Sequence, residues 1–200
     1  MAVPGRDELQ AELEVVSRVE TALRDGLYSV RAGAWRANAV SALAAAAAER
    51  AHFVSDELPE WQNETSRVWR QVLGDVWDYL EGDTQKYLAL SAAIGEFLSS
   101  PLNHVDGQDG PDGFDRPQTV ASYYAAASVV FGGAGVDFAV VAAKQIFDLV
   151  DIRYDGEMSP EREALVRREQ AWLLRICQTV LSEADRGPSG FSRALIDQNR

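Results

Sequence analysis

The amino-acid sequence predicts an all-α protein, a single domain over residues 1–200 folded as an antiparallel bundle of about seven helices. Apolar residues recur at three- and four-residue spacings in seven segments, and no segment shows the two-residue alternation of a strand. Short connections between these segments favour antiparallel neighbours. A chain of 200 residues is most simply one domain, which at that length buries about 70% of the surface of its unfolded chain.

The first four predicted helices fill the first half of the chain. The first runs from Asp7, which can cap it, to Gly26, a residue type that commonly ends helices. The second, residues 33–56, contains five consecutive alanines. Alanine favours the helix and leaves room for a close neighbour, so we expect this segment at the centre. The third and fourth helices are predicted at about residues 63–81 and 84–99.

The last three predicted helices follow an acidic connector. The fifth starts after Pro117, and the sixth covers about residues 135–153. The seventh has the clearest start, because Ser159 suits the N-cap position and Pro160 the first helical position. After the seventh helix, the tail of residues 187–200 is predicted to form one short turn or to fray.

The connector, about residues 101–117, contains "VDGQDGPDGFDRP", with an aspartate at every third position. An EF-hand loop instead places ligands at positions 1, 3 and 5, glycine at 6 and glutamate at 12. Counted from Asp106, these positions fall on the wrong residue types, so we predict a mobile acidic connector. Cation binding by its carboxylates stays open as an alternative.

The composition excludes some partners and favours others. The chain has 19 basic and 31 acidic residues, a formal net charge of −12. Such a field repels nucleic acids and anionic membranes, and it can steer a basic protein partner. No apolar stretch approaches the ~20 residues of a membrane span, and the first residues lack the pattern of a secretory signal. We therefore expect a cytoplasmic protein.

Two helices carry residue types that can bind metals or ligands. Glu49 and His52 have the Glu-x-x-His spacing of di-iron helical bundles, but the second such unit that those sites require is missing. A metal site built from Glu49, His52 and either Asp148 or Asp151 is the metal-dependent alternative. The simpler interpretation is a polar edge beside the helix packing, with Asp148 and Asp151 on a solvated face.

Arg50 and Cys177 are the remaining residues of interest. Arg50 lies on the extension of the alanine stripe of the second helix, so we expect it to reach an interior carboxylate. Cys177, the only cysteine, lies in an apolar helical stripe, where an inert buried thiol is expected rather than a nucleophile. The sequence contains no pattern of a serine nucleophile or of a phosphate-binding loop.

Three segments in order resemble a known family. They are "AAAAAERAHFVSDELPEW", "VWRQVLGDVWDYLEGD" and, after a gap, "AAKQIFDLVDIRYD". Over about residues 33–185 they resemble the DUF416, or YjaG-like, family of small all-helical bacterial proteins. The residues that carry the resemblance are Glu49, Arg50, Trp77, Leu80, Asp148 and Asp151. The chain departs from the family pattern at Ser122, where an acidic residue is expected, and the resemblance implies a fold but no reaction, cofactor or partner.

We therefore expect a binding protein without catalysis or cofactor, for example an immunity- or antitoxin-like protein that masks a basic partner. A homodimer through an exposed aromatic-bearing helix is a further expectation. The alternative is a metal-dependent enzyme or a small-ligand-binding protein that uses a polar site between helices. The residues predicted to contact a ligand or partner are Glu49, Arg50, His52, Asp148 and Asp151.

Overall fold

The structure is a computed structural model that describes residues 6–58, 63–99, 116–132, 135–186 and 191–194, with side chains from residue 14 onward. The described ranges contain α-helices and no strand, which confirms the predicted all-α class. The helices are α1 (Arg6–Ser29), α2 (Ala34–Ser55), α3 (Glu64–Leu80), α4 (Lys86–Ser99), α5 (Pro117–Val130), α6 (Val136–Arg153) and α7 (Pro160–Ala184). Residues 101–115 of the predicted connector, including its four aspartates, lie outside the described residues, as does most of the 187–200 tail.

Side-chain caps start two of the helices. The Asn63 Oδ1 accepts a hydrogen bond from the Ser66 amide at 2.8 Å before α3. The Ser159 Oγ accepts one from the Arg162 amide at 3.1 Å before α7. Pro160 opens α7, where a residue without an amide hydrogen leaves no helical hydrogen bond unmade. The start of α7 predicted from the sequence is therefore confirmed.

The prediction that Gly26 ends the first helix is wrong, because α1 continues to Ser29. Gly26 instead permits a close approach to α7. A Cβ at this position would lie 2.7 Å from Leu181 Cδ1 and 3.5 Å from the Cys177 sulfur. A glycine in a helical pattern can thus mark a packing contact rather than a helix end.

Helix α2 lies at the centre of the bundle. It packs most extensively against α5 and α6, and it also contacts α1, α3 and α7. Every residue from Ala39 to His52 is buried, which agrees with the central position predicted from the alanines. The helix runs antiparallel to α5, because one end places His52 beside Ser122 and the other places Ser41 beside Ser128.

Most neighbouring helices are antiparallel, but α1 and α7 run in the same direction. Near their ends, Gly26 faces Leu181. Near the start of α7, Glu14 and Arg18 line a cleft together with residues from Met158 to Arg167. The parallel arrangement follows from the chain order, because successive helices reverse direction and an odd number of helices, five, separates α1 from α7. Helices α2 and α6 are parallel for the same reason, and Arg153 at the end of α6 pairs with Glu57 just beyond α2.

Helix α4 lies at the edge of the bundle, against α3 and α5. A cluster of three aromatic rings joins these helices. The ring centroids of Trp69 and Phe97 are 5.9 Å apart, those of Trp69 and Tyr123 are 5.7 Å apart, and those of Phe97 and Tyr123 are 4.8 Å apart. Within the described ranges, no helix combines the length and apolarity needed to cross a membrane.

Candidate functional site

Arg50 is buried in the contact between α2 and α7, where it forms a two-point ion pair with Glu169. Its Nε lies 2.6 Å from Glu169 Oε2 and its Nη2 lies 2.8 Å from Glu169 Oε1. The Glu169 side chain is fully buried, and Arg168 Nε donates a further hydrogen bond to Oε1 at 3.0 Å. The expected interior carboxylate partner of Arg50 is therefore present. Two parallel hydrogen bonds of this kind fix both side chains in one geometry.

Two aromatic rings enclose the guanidinium group of Arg50. Its central carbon lies 4.9 Å from the ring centroid of Phe53 and 5.3 Å from that of Trp172. An arginine stacked in this way gains cation–π attraction in addition to its ion pair. With its edge on Glu169 and its faces near two rings, Arg50 connects α2 to α7 and serves the packing of the bundle.

Sequence reasoning did not identify Glu169, although a signal for it was available. Glu169 interrupts an apolar helical stripe that includes Leu165, Leu173 and Ile176. A carboxylate at such a position faces the interior and requires a cationic partner. Arg50 on the alanine stripe of α2 has the complementary requirement, so the two anomalies together predict the pair.

His52 lies two residues further along α2, in a hydrogen-bonded chain with α3 and α5. Arg70 Nε donates to His52 Nδ1 in a long contact of 3.4 Å, and His52 Nε2 lies 2.9 Å from Ser122 Oγ. The Ser122 hydroxyl donates to the Gln118 carbonyl oxygen at 3.0 Å. Because Arg70 can only donate, Nδ1 must be the acceptor and Nε2 must carry the proton.

The electrostatics of His52 agree with this tautomer. Burial lowers the pKa of His52 from 6.5 to about 3, and the positive charge of Arg70 contributes to the decrease. The imidazole is therefore neutral at physiological pH and donates to Ser122. A general base must accept the proton of its nucleophile, whereas His52 already holds a proton on the nitrogen that faces Ser122. The His52–Ser122 contact thus has the polarity of a structural hydrogen bond.

Glu49 faces a different part of the molecule. Its Oε1 lies 2.5 Å from Nη2 of Arg193, in the short segment 191–194 beyond α7. Glu81, at the end of α3, accepts hydrogen bonds from the Ser192 hydroxyl at 2.9 Å and from the Arg193 amide at 3.0 Å. Although Glu49, Arg50 and His52 are close in sequence, they therefore contact three different sets of partners.

Asp148 and Asp151 lie on α6, near its connection to α7. Asp151 is exposed and pairs with the buried Arg162, its Oδ1 lying 2.6 Å from Arg162 Nη2. Asp148 is half-buried. Burial raises the pKa of Asp148, the charge of Lys144 partly offsets the increase, and the charge of Asp151 adds to it. The charge of Asp148 is therefore disfavoured chiefly by burial, and a further cation beside it would stabilise that charge.

The geometry bears on the metal site and the small-ligand site that the sequence left open as alternatives. Across the residues that the structure describes, no three His, Cys, Asp or Glu side chains come together in a group that could hold a metal ion. A cleft of about 430 Å³ lies between α1 and α7, with apolar walls from Val15 and Val166 and arginines at Arg18 and Arg167. Its size is typical of small-ligand sites, but none of the five residues predicted to contact a ligand lines it. Small-ligand binding at those five residues stays a prediction.

The comparisons with known proteins identify no relative. No family model, no curated protein and no solved structure matches the chain. The resemblance to the DUF416 family therefore stays a prediction. The structure adds one observation about it, since Ser122, where that pattern has an acidic residue, is the partner of His52. An acidic side chain at this position would favour a charged histidine.

Proposed function

We propose that the chain is a non-catalytic binding protein that recognises a basic protein surface, as an immunity protein or antitoxin masks a basic toxin. The proposal keeps the cytoplasmic setting expected from the sequence and the absence of a nucleic-acid partner. The observation that carries it is the concentration of carboxylates where α6 leads into α7. In this region the half-buried Asp148 is accompanied by the exposed acidic residues Asp151, Asp155, Glu157 and Glu161.

Two arginines of this region are already engaged in ion pairs. Arg162 is only 3% exposed and pairs with Asp151, and Arg153 pairs with Glu57 beyond the end of α2. The surface therefore presents carboxylates to solvent while these arginines neutralise part of the charge within the fold. A lysine or arginine of a partner would add to the attraction of Lys144 and stabilise the charge of the half-buried Asp148, which supports a basic partner over an acidic one.

The polar groups inside the bundle support a role in binding rather than catalysis. Arg50 and Glu169 satisfy each other, and His52 is held neutral with its proton directed at Ser122. Each of these pairs joins two helices, so they contribute to a rigid framework. A rigid framework that presents a charged surface favours fast association and selective binding.

The experiment compares the wild-type chain with the double variant Asp148→Asn, Asp155→Asn. Asp155 has a positive φ of 50°, a conformation that asparagine tolerates well, and Asp148→Asn removes a charge that burial disfavours. We therefore expect the variant to be at least as stable as the wild type. The matched control is Asp25→Asn, Glu96→Gln, which removes two exposed charges elsewhere on the surface.

Each chain is immobilised and incubated with a cell lysate at about 150 mM salt, where exposed charges more than ~8 Å apart are screened from each other. The proteins that each chain retains are quantified by mass spectrometry. We expect a basic protein that is retained by the wild type and the control and reduced at least fivefold by the Asp148, Asp155 variant. Equal retention by all three chains contradicts the proposal, and so does equal loss from both variants.

A further inference from the structure

The cleft between α1 and α7 has apolar walls on both sides. Val15 on α1 and Val166 on α7 line it, and Met158 and Pro160 add apolar surface where α7 begins. Its volume of about 430 Å³ lies within the range of pockets that enclose small molecules. A ligand that fills this cleft therefore needs an apolar body.

A buried arginine lines the same cleft. Arg162 is 3% exposed, and its Nη2 lies 2.6 Å from Oδ1 of Asp151, a residue of α6 that does not line the cleft. Its Nη1 contacts the sulfur of Met158. Water screens the field of a buried charge less than that of an exposed one, so Arg162 attracts an anion in the cleft more strongly than a surface arginine does.

Two exposed arginines add positive charge to the cleft, one from each helix. Arg18 pairs with Glu14 at 3.1 Å, and Arg167 pairs with Glu163, each pair one turn apart on its own helix. Exposed pairs of this kind stabilise a protein only slightly, so a ligand can take the place of either glutamate. The residues that line the cleft include three arginines and two glutamates, an excess of positive charge in a chain whose net charge is −12.

The charges of the cleft favour a carboxylate as the polar group of a ligand. The planar fork of an arginine matches the two oxygens of a carboxylate, and each of the three arginines already contacts a carboxylate of the protein. Ser159 and Pro160 also line the cleft, so the amino-terminal end of α7 adds partial positive charge. The same charges repel a cationic ligand.

We propose that this cleft is a binding site for a small carboxylate with an apolar body. The body lies between Val15 and Val166, and the carboxylate faces Arg18, Arg162 and Arg167. The site goes beyond the proposed recognition of a basic protein. None of the residues exchanged in that test lines the cleft, so either proposal can fail while the other passes its test.

In the test, the isotope-labelled full chain is titrated with sodium octanoate, and its amide signals are followed by two-dimensional NMR. At about pH 7 the carboxyl group of octanoate is ionised. Octanol has the same length of apolar chain without a charge and is the matched ligand. We expect saturable shifts that are largest for amides of residues 14–18 and 158–167. The dissociation constant is expected to be at least tenfold lower for octanoate than for octanol.

The variant Arg18→Gln, Arg167→Gln removes the two exposed arginines of the cleft, whose side chains are 69% and 71% exposed. We expect it to bind octanoate at least threefold more weakly and octanol unchanged. The matched control is Arg67→Gln, Arg186→Gln, which removes two arginines outside the cleft with the same exposures and similar ion pairs. The control is expected to bind octanoate as the wild type does.

A third variant, Val15→Phe, places a larger side chain in the cleft and keeps all three arginines. We expect it to bind octanoate at least fivefold more weakly, because the apolar body needs the same space. The amide spectrum of each variant shows whether it is folded.

The proposal is overturned if octanoate does not bind, if octanol binds as tightly, or if the shifts lie outside the cleft. Equal affinity of the Arg18, Arg167 variant and its control for octanoate overturns it as well. So does unchanged octanoate binding by a folded Val15→Phe variant.

Discussion

Helices α2 and α4 are both apolar and both carry few charges, yet one is enclosed by the protein and the other lies largely exposed. Helix α2 buries every residue from Ala39 to His52. Helix α4 buries only Leu90 and Ile94, while Leu88 is 75% exposed. The two helices differ in their neighbours, since α2 contacts five other helices and α4 packs against α3 and α5.

The comparison indicates that position in the bundle, more than the hydropathy of a segment, decides how much of it is buried. It also explains where the internal ion pairs and hydrogen bonds occur. A polar side chain in the buried stretch of α2 from Ala39 to His52 has little access to water and requires a protein partner, as Arg50 has in Glu169 and His52 has in Ser122. A polar side chain on the outer face of α4 is hydrated and requires none.

The largest expected difference between the helices concerns the ion pair of α2. Glu169→Ala leaves the guanidinium of Arg50 buried without its carboxylate, so we expect the free energy of unfolding to decrease by about 3–5 kcal/mol. The control is Glu96→Ala on the exposed face of α4, which is expected to change it by less than about 0.5 kcal/mol. Urea denaturation measures both. Similar decreases in the free energy of unfolding for the two variants would contradict the difference in burial between α2 and α4.

The second difference concerns the room for a larger side chain in each helix. Ala46 is fully buried in α2, and Ala46→Leu adds three carbon atoms to a packed interior, which we expect to destabilise the protein by about 1–3 kcal/mol. Ala92 lies on the exposed side of α4, so Ala92→Leu should leave the stability nearly unchanged. Thermal unfolding followed by circular dichroism compares them. A destabilising Ala92→Leu would indicate that the outer face of α4 is covered.

The third prediction concerns pH and the burial of His52. In the unfolded chain a histidine takes up a proton near pH 6.5, whereas in the folded protein the pKa of His52 is about 3. Between these values the unfolded state binds more protons, so stability is lost as the pH falls from about 6.5 towards 3. The slope from one such group is at most about 1.4 kcal/mol per pH unit.

The variant His52→Gln isolates this contribution, because other titrating groups are common to both chains. Urea denaturation at pH 7 and pH 4.5 measures the free energy of unfolding of both chains. We expect that of the wild type, relative to that of the variant, to be about 2 kcal/mol lower at pH 4.5 than at pH 7. Parallel pH profiles for the two chains would show that His52 is protonated in the folded protein near its ordinary pKa.

The smallest effect is expected at a glycine of α4 and has the opposite sign. Gly95 lies inside the helix, and a Cβ there would meet no atom within 4 Å. Gly95→Ala should therefore stabilise the protein by about 0.5–1 kcal/mol. Gly26→Ala in α1 is the matched comparison, since its methyl group would meet Leu181 at 2.7 Å. Differential scanning calorimetry that finds the same gain at both sites would contradict the close packing of α1 on α7.

Much of the architecture could be predicted because its signals are local. The Ser159–Pro160 start of α7 depends on a few adjacent residues, and the central position of α2 follows from a run of alanines that needs close neighbours. Gly26 was misjudged because a glycine at a helix end and a glycine at a helix contact look the same in sequence. Only the position of Leu181, far along the chain, distinguishes them.

The candidate site was less predictable because its partners are remote. The requirement of Arg50 for a carboxylate could be inferred from its own helix, but the choice of Glu169 depends on how α2 and α7 align. The pairing of His52 with Ser122 likewise depends on the register of α2 against α5. The contact of Glu49 with Arg193 follows no periodic pattern, since Arg193 lies in a turn beyond the end of α7.

The single cysteine gives the protein a chemical reporter of its own motions. Cys177 is 4% exposed, burial raises the pKa of its thiol to about 11, and its sulfur faces Gly26 across the contact between α1 and α7. A thiol in this state reacts with an alkylating reagent only after the two helices separate. The rate of alkylation therefore reports how often the bundle opens along this seam, and the measurement needs no engineered label.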